Sequence, residues 1–146
     1  MHRRSLGSAR RLAVIAGLML IVGSVLPWYQ TGGDGSLPTL VYYGFRFGSD
    51  LTAGTGILTF LVGLATLALI ALPYAMGDRP TPIDRGISFG LLAVVAILGV
   101  ILWIPNVVAD VSGMLPTRAY GFWITAVGAV LLARAAFEIY LSPDGR

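Results

Sequence analysis

Four long apolar runs constrain this chain more than any other feature. They cover residues 12–28, 57–76, 87–109 and 119–141. A helix crossing a bilayer needs about 20 mostly apolar residues, and each run is close to that length. The runs are continuous, whereas a barrel strand alternates apolar and polar residues over about ten positions. Only 12% of the 146 residues are charged and 56% are hydrophobic, while ordinary soluble domains carry about 25% charged residues. The expectation is an all-α membrane protein: a single domain over residues 1–146 folded as a four-transmembrane-helix bundle. An outer loop spans residues 29–55.

The first run has the basic flank of a signal peptide, with Arg3, Arg4, Arg10 and Arg11 ahead of it. No Ala-x-Ala site follows, and Pro27-Trp28-Tyr29-Gln30 is a poor cleavage region, so the run is expected to remain as a span. Arginine placement orients the bundle. Four arginines precede the first span, Arg79 and Arg85 lie between the second and third, and Arg134 and Arg146 lie towards the C-terminus. Only Arg46 and Arg118 fall on the opposite side. The positive-inside rule then puts both termini in the cytoplasm. Trp28, Trp103 and Trp123 fall at the outer ends of their spans, as interfacial anchors would. Tyr74, Phe89 and Tyr140 are expected to anchor the inner interface.

Small residues mark the expected packing faces, because helices in lipid associate through close backbone approach. The second span carries Gly56, Thr59, Gly63 and Thr66 on one face, and the fourth carries Gly121, Thr125 and Gly128. The third offers Gly86, Gly90 and Ala93, and the first offers Ala13, Gly17 and Ser24. Aligning Gly56–Gly63 with Gly121–Gly128 points to a 2+2 hairpin repeat, with two copies related by an axis along the membrane normal.

In the outer loop, Thr31 to Ser36 reads as turn, and Thr39 to Phe47 (TLVYYGFRF) is rich in β-formers. A strand or small hairpin is expected, with Tyr42, Tyr43, Phe45, Arg46 and Phe47 forming either a cap on the bundle or a docking surface. Residues 77–86 form a short inner connector whose Pro80 and Pro82 block helix continuation. Arg134 and Glu138 are the ionisable pair set well inside a span. They share a helix face at four-residue spacing and point away from Gly121, Thr125 and Gly128. Such a pair marks either a contact with a partner or lipid, or the end of the helix.

Catalytic patterns are missing. The single histidine, His2, lies at the terminus, and cysteine is absent, which excludes disulfides and thiolate sites. All ten basic residues are arginine and are scattered along the chain, so nucleic acid is not an expected partner. No cofactor is expected. Asp34, Asp50 and Asp110 share the outer side, where a divalent cation or, more simply, solvent would meet them.

The arrangement has the outline of claudins in its long outer loop, but it lacks their Gly-Leu-Trp and paired cysteines. Small multidrug transporters differ in carrying an acidic residue in the first span. The membrane-associated eicosanoid and glutathione enzymes match in span count but not in their Glu-Arg-x-x-x-Asn-type signature. Several short stretches recur together: Leu26-Pro27-Trp28 closing the first span, a Gly-rich outer loop, Gly54-Thr55-Gly56-Ile57-Leu58-Thr59 and Gly121-Phe122-Trp123. In these the chain resembles a broad group of uncharacterised bacterial, often actinobacterial, four-span proteins. The resemblance implies a bacterial inner-membrane protein. The expected role is a non-enzymatic structural or accessory subunit, contacting membrane lipid and other membrane protein subunits. A small oligomeric channel or transporter, with a polar path through Ser24, Thr59, Thr66, Asn106 or Thr125, is the alternative.

Overall fold

The computed structural model describes residues 7–32, 38–45, 54–76, 85–104 and 115–141. Among them are four helices: α1 (Ser8–Val25), α2 (Thr55–Met76), α3 (Arg85–Trp103) and α4 (Tyr120–Leu141). Each is long and apolar enough to cross a membrane. Two short strands, β1 (Pro27–Thr31) and β2 (Leu40–Tyr43), form an antiparallel hairpin between α1 and α2. The helices form a ring in which each touches its two neighbours, α1 closing on α4. The hairpin lies at one end, and residues 7 and 141 lie at the other.

Local sequence accounts for the helix ends. Pro27 cannot continue α1, and Leu26 before it is already extended, at φ −84° and ψ 163°. Gly54 turns the chain into α2 with φ 101°, a left-handed conformation that glycine adopts without strain. Helix α3 ends at Trp103, just before Ile104-Pro105, and so falls short of the expected Ala109; residues 105–114 lie outside the described residues. Pro105 disfavours helical backbone in the residue before it. The connector over residues 77–84 is likewise outside them.

The interior is built from the smallest side chains. Ala13, Ala16 and Leu20 of α1 pack with Ala93 and Ala96 of α3 and with Ala129, Leu132 and Ala135 of α4. Large residues such as Leu18, Leu61, Leu91 and Val130 point outward. In water this arrangement would be unfavourable, but in lipid the outward Leu and Val lose nothing and the inward Ala and Gly let backbones meet.

At the hairpin end Gly23 of α1 lies against Thr125 of α4, and Gly99 of α3 lies against Thr59 of α2. The aligned stretches match Thr59 with Ile124 and not with Thr125, so these contacts are not equivalent positions of the expected repeat. Deeper in the bundle the two halves also differ. Gly63 of α2 and Gly128 of α4 both press onto α1, against Gly17 and Ala16 respectively.

Candidate functional site

The seven expected packing residues, Gly56, Thr59, Gly63, Thr66, Gly121, Thr125 and Gly128, all lie buried on the inward side of α2 and α4. A Cβ on Gly63 would stand 2.8 Å from the Gly17 carbonyl oxygen, so the α1 and α2 backbones are nearly in contact. Gly90 behaves differently. A Cβ there would meet nothing within 4 Å, because Gly90 opens into an apolar groove between α3 and α4 floored by Gly86, Ala93, Ala133 and Ala136. It is a groove residue and not the packing residue expected.

The interior hydroxyls bond within the bundle. Thr66 donates to the Val62 carbonyl at 2.8 Å and Thr125 to the Gly121 carbonyl at 2.9 Å. Ser24 and Thr59 meet across α1 and α2 at 2.7 Å, and both are fully buried. Each also lies within bonding distance of a carbonyl on its own helix, Leu20 and Gly56. With one proton per hydroxyl, one of them donates across the interface and the other to its own helix. Thr66 and Thr125 thus bond to their own helix backbone and Ser24 and Thr59 to each other and to backbone, while Asn106 lies outside the described residues. A double-mutant cycle of Ser24→Ala and Thr59→Val is expected to give a coupling of about 0.6 kcal/mol, typical of interhelical hydrogen bonds in membranes. Unfolding titrations in mixed micelles measure it.

At the hairpin end, the tryptophans depart from the anchor role. Trp28 is completely buried and Trp103 nearly so; only Trp123 is exposed, in keeping with an anchor. The Trp28 indole stacks edge-on against Trp103 at 5.3 Å and Phe122 at 5.8 Å, and its N–H donates to the Gly23 carbonyl at 2.9 Å. A bulge makes this possible. The strand register is irregular between Pro27 and Tyr29, so two successive residues, Pro27 and Trp28, both turn inward. At the opposite end Tyr74 and Tyr140 are exposed, while Phe89, also expected at the interface, is 3% exposed and belongs to the core.

The hairpin joins the bundle along one side. The Gly56 N–H, one of the donors a helix start leaves without an internal partner, donates to the Gly44 carbonyl at 3.1 Å. Phe45 stacks on Phe60 at 5.3 Å, and Tyr42 packs on Tyr29. Phe45 thus serves the cap half of the expectation, while Tyr42 packs across the hairpin on β1. Val41 and Tyr43 share one face of β2 and line a shallow apolar hollow with Phe45 and with Val25 of α1. Leu40 points to the opposite face, and all three β2 residues are exposed. Arg46 and Phe47 lie outside the described residues. The partner of β2 is Pro27–Thr31, residues expected from sequence to end a span and begin a loop.

Arg134 and Glu138 pair as their spacing implies, Nε donating to Oε1 at 3.2 Å. Their side chains are 72% and 36% exposed. At 100° per residue Arg134 stands about 180° around α4 from the buried Thr125. It lies seven residues before Leu141, about 10 Å along the axis at 1.5 Å per residue. An arginine at a bilayer centre costs about 2.5–3.5 kcal/mol, less as it approaches an interface. Helix-stabilising charge placement runs the other way. Carboxylate before cation is the better order along a helix, and a carboxylate near the C-terminus opposes the dipole. The pair is thus not explained by the stability of α4 alone.

Among the described residues no group of acidic or histidine side chains could hold a metal ion. Asp34, Asp50 and Asp110 fall outside them. The buried Thr55 hydroxyl and Trp103 indole N–H have no partner among the described residues. The fold and these surfaces define a multi-pass α-helical membrane protein with a hairpin cap on one end of the bundle. Comparison with family models, curated proteins and solved structures finds no match to this chain.

Proposed function

We propose that this chain is a small structural or accessory subunit of a larger bacterial membrane complex, docking through its hairpin and apolar helix faces. The observation that carries the reading is the open side of β2. Val41 and Tyr43 expose one apolar face of β2 that continues onto Phe45 and onto Val25 at the end of α1. Outward leucines on the helices are accounted for by lipid, but a rigid apolar patch on an extramembrane element fits a protein partner. Aromatic residues such as Tyr43 are common anchors in such contacts. The arginine distribution supports an inner-membrane placement with both termini cytoplasmic and the hairpin outside. The role is non-catalytic, in keeping with the resemblance to bacterial four-span proteins.

The test is mild-detergent purification at native expression, followed by native mass spectrometry. A defined larger assembly is expected, and V41D or Y43A is expected to reduce its recovery at least tenfold while the bundle stays folded. A lone chain at native levels, or an assembly indifferent to both substitutions, overturns the reading.

A further inference from the structure

We propose that the outward face of α4 is a self-association surface, on which two copies of this chain pair in parallel about an axis along the membrane normal. The face is a single row: Trp123, Val127, Val130, Arg134, Phe137 and Leu141, all exposed and spaced by fours and threes. Any outward helix face has that spacing. What singles this row out is Arg134, set within it seven residues before Leu141 and paired with Glu138 at the edge of the row.

Lipid tails offer such a pair no hydrogen bond and no counter-charge. A second copy offers both. The face carries one cation and one anion a single turn apart, so it complements itself. When two α4 helices run side by side in parallel, each arginine comes within a turn of the partner copy's carboxylate. The four charges sum to zero, and each guanidinium, with five N–H donors, gains a second carboxylate as acceptor. One polar position in an apolar row also fixes register, as buried polar residues do in coiled coils. Two-fold pairing of one patch with itself is the commonest closed assembly. This surface is distinct from the open side of β2, so the pairing stands whether or not the hairpin docks elsewhere.

The chain has no cysteine, so single cysteines report cleanly. Val130→Cys, one turn from Arg134, is expected to form a disulfide-linked dimer in oxidised native membranes. Its yield should be at least tenfold above that of Leu91→Cys, an equally exposed position on α3. Equal yields overturn the proposal with the native charges untouched. On the Val130→Cys background, R134E presents two carboxylates and E138R presents two guanidiniums. Each alone is expected to lose the dimer tenfold, and co-expression is expected to restore a mixed dimer carrying one of each. A lipid or an unrelated protein on this face would not restore linkage between the two variants. Failure of that restoration therefore also overturns the pairing.

Discussion

Replacing Trp28 by alanine is expected to destabilise the bundle by about 3–5 kcal/mol, the range for removing a buried tryptophan from a close-packed core. The indole is completely buried, and it is where three elements converge. It follows α1, stacks on Trp103 at the end of α3 and on Phe122 at the start of α4. It also lies under the turn that follows β2, where a Cβ on Gly44 would stand 2.8 Å from the ring. Unfolding titration of the purified protein in bicelles measures the loss. Trp28→Phe separates two contributions, since it keeps much of the ring packing and removes only the N–H bond to the Gly23 carbonyl. That bond is worth about 1 kcal/mol. If Trp28→Ala loses less than the phenylalanine variant, the cluster is not what holds the hairpin end together.

Gly63→Leu is expected to separate α1 from α2, with a loss of about 3 kcal/mol, the upper end for overpacking a close-packed site. Even a single added carbon would stand 2.8 Å from the Gly17 carbonyl oxygen. That neighbour is backbone and cannot rotate away, so a whole helix must shift. The same substitution at Gly90, which opens into the α3–α4 groove, is expected to leave stability unchanged. The pair of variants holds side-chain chemistry constant and alters only what the new atoms meet. Equal effects at the two glycines would mean that helix propensity, and not close approach, governs the result.

Much of the architecture is legible in the sequence because two of its signals are local. Run length alone marks four spans, and the small residues of α2 and α4 repeat on one helical face, so their inward direction follows from geometry. Gly90 escaped this logic. It sits on the same kind of stripe, but whether a neighbour fills the space in front of it depends on how α3 and α4 diverge. The tryptophans escaped for a different reason. Interfacial anchoring and edge-on stacking both place Trp at a helix end, and only the partner decides between them. For Trp28 the partners are Trp103 and Phe122, distant in sequence. The strand Pro27–Thr31 was hidden because Leu26-Pro27-Trp28 is apolar enough to pass for the last turn of a span, and its bulge removes the alternation that marks a strand. At Arg134 and Glu138 the spacing foretold both the pairing and the outward direction.

A single residue, Leu26, separates the last turn of α1 from the first residue of β1. With no linker between them, the hairpin has almost no conformational freedom of its own, and Trp28 fixes what little that junction leaves. Ordering a loop on binding typically costs about 0.5–1.5 kcal/mol for each side chain immobilised. A molecule meeting Val41 and Tyr43 finds much of that ordering already done by the fold. Association at the hairpin should then proceed with a small entropic penalty and little change in backbone shape, and its strength should depend mainly on the fit of the two surfaces.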